Sequence, residues 1–76
     1  MKNEYKINFT WDGEVSVWIA TSDGVPGLIL EDDSFDVLVE RVCQAVPELL
    51  AFEHELDGDI FLDIATSRYE RVPVNG

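Results

Sequence analysis

Seventy-six residues with sixteen acids against five bases, a net charge of −11, exclude several function classes at once. Phosphate binding needs clustered Lys and Arg, so nucleic acid is not expected as a direct ligand. One cysteine excludes an internal disulfide framework, no Cys/His pair has zinc spacing, and no apolar run nears the roughly 18 to 20 residues that span a bilayer.

A hydrophobic content of 46% is too high for disorder, and the length suits a single domain over residues 1–76. Such a chain buries only about 60% of the surface its unfolded form exposes. With disulfides and metals set aside, self-association is the remaining reinforcement, and a homo-dimer is expected. The start Met1–Lys6 lacks the apolar run of a signal peptide, and a lone thiol suits a reducing cytoplasm. The acidity has two readings: solubility, or a partner that is itself basic.

Tyr5, Ile7, Phe9 and Trp11 alternate with polar residues, which predicts a first strand. Asp12-Gly13 signals a hairpin turn, and Val15, Val17 and Ile19 alternate with Ser16, Trp18 and Ala20 in a second strand. A strict two-residue turn would set the apolar row of one strand beside the polar row of the other. A three-residue loop, or an equivalent bulge near Gly13, instead pairs Trp11 with Val15, Phe9 with Val17 and Ile7 with Ile19, and is the expected register.

Thr21 to Gly27 reads as loop, with Pro26-Gly27 as its corner, and Leu28 to Glu31 as a short third strand. Ser34 is placed to cap a helix, with Asp36 in the first turn where the dipole favours negative charge. Phe35, Leu38, Val39, Val42, Val46, Leu49 and Leu50 recur at three- and four-residue steps, one apolar stripe. Pro47 should end or kink that helix, with Pro47-Glu48-Leu49-Leu50 adding a turn. Ala51 to Asp59 reads as a polar loop, Ile60, Leu62 and Ile64 as the last strand, and Ser67 to Gly76 as a tail, partly extended around Arg68-Tyr69-Glu70-Arg71.

Three antiparallel strands followed by a helix and a strand predict an α+β fold, ββ-β-α-β, with one four-stranded mixed sheet in order 3-2-1-4 and one helix on one face. On this register Trp18, Ile29 and Phe61 fall on the face that the helix leaves open, and two aromatics there point to an interface.

Residues of catalytic type do not assemble into a reaction. Glu53, His54, Glu55, Asp57 and Asp59 match neither a metalloprotease helix nor a calcium loop, and read as a solvated acidic loop. Cys43 lies on or beside the helix stripe, reads as a buried small hydrophobe, and has no base near it in sequence. Gly24 and Gly27 read as turn glycines rather than a phosphate loop. Arg68 and Arg71 are expected to pair with acids of this chain or of a neighbouring subunit. No catalytic residue, cofactor or metal ligand is assigned, and an enzyme is not expected. The acidic run Glu31, Asp32, Asp33 with Asp36 serves helix capping and solvation, or docks a basic surface.

The stretch Val15-Ser-Val-Trp18-Ile-Ala-Thr-Ser-Asp-Gly-Val-Pro26-Gly27-Leu-Ile-Leu-Glu-Asp-Asp-Ser34 resembles a family of small bacterial proteins of unassigned function. Its pattern is a Trp-bearing strand, a Pro-Gly-Leu corner, a short strand and a Ser/Thr-led helix closing on Pro-Glu-Leu-Leu. The resemblance runs on through Ile60-Phe-Leu-Asp and Arg68-x-x-Arg71-Val-Pro. More distantly the chain is similar to the N-terminal domain of HicB antitoxins, a truncated RNase H-like fold. That resemblance implies binding and occlusion of a small basic ribonuclease toxin. It does not imply RNase H catalysis, and the sequence ends where the DNA-binding domain of most HicB proteins would begin, so operator binding is not expected.

The reading is therefore a small cytoplasmic protein-binding module, with Trp18, Glu31, Asp32, Asp33, Asp36 and Phe61 as candidate partner-binding residues. The alternative is a structural homo-oligomer whose only partner is itself.

Overall fold

The computed structural model describes residues 3–51 and 58–75. Five elements follow one another: β1 (Asn3–Asp12), β2 (Val17–Thr21), β3 (Ile29–Asp32), α1 (Phe35–Leu50) and β4 (Ile60–Ser67). They form one mixed sheet in the order β3-β2-β1-β4, with the helix on one face, the α+β architecture expected. β1 pairs antiparallel with β2 and parallel with β4, so the chain crosses back through α1 to reach the far side of β1.

The hairpin does not take the expected register. Phe9 opposes Ala20 and Trp11 opposes Trp18, so the pairs Trp11–Val15, Phe9–Val17 and Ile7–Ile19 do not form. The connection is four residues, Gly13–Ser16, rather than three. Asp12 Oδ1 accepts from the Glu14 N–H at 3.0 Å, and Ser16 takes the left-handed conformation at φ 57°. Both rows of β2 contain apolar side chains, so apolar content alone does not choose between them; size does. The helix lies over β3 and β2. The place opposite Phe9 is fully covered and holds Ala20, at zero exposure. The expected register sets Val17 there, two carbons larger than Ala20, and overfilling a covered site is destabilising.

The register corrects one assignment of faces. Trp18 lies on the helix side, its ring edge-on to Phe35 at 5.1 Å between centroids, and not on the open face beside Ile29 and Phe61. Alternation along the strands gives the open face Val17, Ile19, Ile29, Phe61 and Ala65 among Glu4, Lys6, Asp12, Glu31 and Asp63.

The corner before β3 is a type II turn. Val25 accepts from the Leu28 N–H at 3.2 Å, and Gly27 at φ +84° supplies the positive φ required after Pro26. The turn drives Val25 and Leu28, both buried, into the core. Ser34 then caps α1, its Oγ accepting from the Val37 N–H at 3.2 Å. Leu38, Val42, Val46 and Leu50 form the buried row and pack on Ile7, Phe9 and Ala20. Pro47 does not end the helix, and Pro47-Glu48-Leu49-Leu50 adds the expected last turn to Leu50. Its ring falls on the solvent side, as does Cys43, whose carbonyl loses its helical donor. Cys43 is exposed rather than buried, because it stands one step around the helix from Val42.

β4 runs on to Ser67, three residues beyond the alternating Ile60–Ile64 segment, since parallel pairing continues to Thr10. Residues 68–75 have no regular structure. The expected acidic loop falls mostly on residues 52–57, outside the described residues; Asp59, grouped with it, is exposed.

Candidate functional site

The six candidate residues divide between two places. β1 ends, β3 ends and α1 begins at the same end of the sheet, which brings Trp18, Asp32, Asp33 and Asp36 together. Trp18 and Asp32 are direct cross-strand partners. Glu31 alternates to the open face, although its carbonyl is tied to the helix by Arg41 at 2.8 Å. Phe61 lies at the opposite end, paired across to Glu4, and half of it is exposed on the open face. The structure therefore joins four of the candidates and separates Phe61 from them.

Four residues complete the first group. Phe9, Phe35, Trp18 and Trp11 form a continuous run of rings, with centroid separations of 5.1, 5.1 and 5.4 Å and tilted or edge-on geometry throughout. Such pairs contribute about 0.5–1.5 kcal/mol each beyond their buried area. Phe9 is the buried root, and Trp11 and Trp18 are the half-buried outer members. Arg68, the first residue past β4, lays its guanidinium over Trp11 at 4.3 Å and within 5.9 Å of Trp18. Its Nε also donates to Glu70 at 2.6 Å, an exposed pair, in line with the expectation that Arg68 meets an acid of its own chain.

Trp11 and Arg68 were legible in principle. Pairing Trp11 with Trp18 follows from the correct register, and Arg68 continues the even-numbered row Ile60, Leu62, Ile64, Thr66 that faces the helix. Phe35 was visible only as part of the helix stripe.

The acids differ in their engagement. Asp32 Oδ1 accepts from the Ser34 N–H at 2.9 Å, and its Oδ2 accepts from Arg41 at 3.3 Å. The Ser34 amide first, then Asp33 and Arg41, hold the Asp32 carboxyl below its ordinary value of 3.8. Asp32 is thus structural as well as acidic. Asp33 and Asp36 are exposed beside it.

Elsewhere, a groove of about 280 Å³ runs between the last turns of α1 and the start of β4, lined by Cys43, Val46, Pro47, Asp59 and Ile60 among others. Among the described residues no three His, Cys, Asp or Glu side chains gather as metal ligands, and no helix is long and apolar enough to cross a membrane.

Comparison with known proteins places the sequence. The family described as "Domain of unknown function (DUF1902)" matches residues 4–75. A solved structure of a hypothetical protein from the extremely thermophilic bacterium Thermus thermophilus is similar at 31% identity and a TM-score of 0.66, covering 93% of this chain and 99% of that one. No curated protein matches. The expected kinship with a family of unassigned function stands on these matches; the likeness to HicB antitoxins rests on the quoted residues alone.

Proposed function

This chain belongs to the DUF1902 family of domains of unknown function, and we propose that it serves as a protein-binding module that recognises basic side chains of a partner protein. One observation carries the reading: the Trp11–Trp18 pair already holds a guanidinium, that of Arg68, and Asp32, the cross-strand partner of Trp18, leads into the exposed Asp33 and Asp36 at the same end of the sheet. Trp is the best aromatic host for a cation, and a cation held over it gains about 0.5–1 kcal/mol at exposed sites. Acids beside it raise the local concentration of basic partners and speed encounter. A partner arginine or lysine fits there next to Arg68 or in its place. The action is occlusion, as the resemblance to HicB antitoxin domains implies, in the cytoplasm and without direct contact to nucleic acid or membrane.

The two tryptophans of the chain both lie at this end, so intrinsic fluorescence reports on it. Titration with an Arg-rich peptide at low salt should change that fluorescence saturably, and added salt should weaken binding steeply. Asp33→Asn with Asp36→Asn, and separately Trp11→Ala, should each weaken binding by roughly tenfold, about 1.4 kcal/mol. Asp63→Asn, on the other face, should leave it unchanged. Equal losses from every acid removed, wherever it lies, would reduce the effect to net charge and overturn the reading.

A further inference from the structure

Two exposed apolar features of the fold, both among the described residues, complement one another. The first is the segment after β4. Tyr69, Val72 and Val74 are 92%, 77% and 91% exposed, although Pro73 and the flanking β-branched residues favour a stiff extended path. The radius of gyration is 14.9 Å and the long axis 56 Å against 22 and 18 Å, where a compact chain of this length has a radius of about 11 Å. This arm carries Arg68 and Arg71 against Glu70, a net +1 in a chain of net −11.

The second is the open face of the sheet. Ile29 is 74% and Phe61 50% exposed, with Val17 and Ile19 half-buried between them. Four acids on the same face, Glu4, Asp12, Glu31 and Asp63, stand against one base, Lys6. Beyond Arg68, which stays on Trp11 and pairs with Glu70, the arm is apolar and presents Arg71, while the face is apolar and acidic. In the single chain they do not meet.

We propose that the occupant of this face is a second copy of the chain, and that two copies hold one another by reciprocal exchange of the segment Tyr69–Val74. Anchoring of Arg68 on Trp11 fixes the root of the arm, which lowers the entropy lost when the remainder docks. From Arg68 to Asn75 an extended chain reaches about 23 Å, at about 3.3 Å per residue, whereas a four-stranded sheet measures about 14 Å between its outer strands. The arm is therefore long enough to cross a partner's whole sheet. Reciprocal exchange uses the same two patches on both copies and closes on itself as a two-fold dimer. The open face is distinct from the Trp11–Trp18 end, so docking on it does not require a basic partner; only the root of the arm, Arg68 on Trp11, is shared with that end.

The test is sedimentation velocity of the full chain over a concentration series, with variants of the arm (Tyr69→Asp with Val72→Asp) and of the face (Ile19→Asp with Ile29→Asp). The wild type should sediment with twice the 8.6 kDa chain mass. Each variant should raise the dimer dissociation constant by at least about tenfold, with an unchanged far-ultraviolet circular dichroism spectrum. The substituted arm residues are mostly solvent-exposed in the single chain, so the arm variant loses little packing within it. Mixing the two variants supplies a decisive arm. One sound arm then meets one sound face, and mixed dimers should form more tightly than either variant pairs with itself. A monomeric wild type at every concentration, or a dimer indifferent to the arm variant, or no gain on mixing, would overturn the proposal.

Discussion

Asp32 shows how one carboxylate can belong to a fold and to a surface at once. Its two oxygens take the Ser34 amide and the Arg41 guanidinium, which ties the end of β3 to the start and second turn of α1. Because these contacts favour the charged form, its folded pKa is lowered from 3.8, the Ser34 amide being the first cause. A lowered folded value means that the charged group contributes stability above 3.8, and that the contribution is lost as pH falls from there through the folded value. Acidification also relieves the repulsion of a chain of net −11, so the absolute trend mixes two effects. The difference between wild type and Asp32→Asn isolates one of them. We expect wild type to have the higher urea midpoint at about pH 6 and the gap to close below the ordinary carboxyl value of 3.8; a gap constant down to about pH 2 would place the stabilisation in shape rather than charge.

At the scale of elements, β2 carries the strongest consequence of the register. Ala20 lies between Phe9 and Leu30 under the helix with no exposure, while Ile19 opposes Thr10 and Glu31 on the open face. Overfilling a packed site costs about 1–3 kcal/mol. Ala20→Leu should therefore lower the unfolding free energy by that amount, whereas Ile19→Thr should cost under about 1 kcal/mol, values that urea titration resolves. The reverse ranking would restore the three-residue hairpin. Strand order, crossover, Ser34 cap and helix stripe were all legible in the sequence, because each rests on a local signal with a single reading. The face of β2 was not, because Val17/Ile19 and Trp18/Ala20 are both acceptable inward rows until the closeness of the helix is known. That one parity moved Trp18 from the open face to the helix side and hid its pairing with Trp11. Pro47 misleads for a different reason: near the end of a helix it forfeits one hydrogen bond, and the buried anchors Val46 and Leu50 on either side hold the last turn in place.

For the whole molecule, size and charge set the terms. The core among the described residues comprises nine buried side chains, with Phe9, Ile7, Leu38 and Leu50 its largest members, and the ion pairs there are exposed. Exposed pairs contribute little, so the sheet and helix rest mainly on apolar burial in a chain near the lower limit for independent folding. Association through the arms would add apolar burial that the single chain lacks, and it would couple folding to concentration. A tenfold rise in concentration shifts a dimerisation equilibrium by about 1.4 kcal/mol, or about 0.7 kcal/mol per chain. For a domain of this size that is on the order of 3–6 °C in melting temperature. Above its dissociation constant the wild type should therefore melt higher by a few degrees for each tenfold increase, and the variant Tyr69→Asp with Val72→Asp should melt at one temperature up to at least about tenfold higher protein concentration. Added salt sharpens the distinction. Screening relieves the self-repulsion of the acidic body and should raise the melting temperature of that variant. In the wild type the same screening also weakens the attraction between Arg71 and the acids of a partner's sheet, so its concentration dependence should begin at higher protein concentration as salt increases. A concentration slope in the arm variant that begins at the same protein concentration as in the wild type would instead locate the contact between copies elsewhere on the molecule.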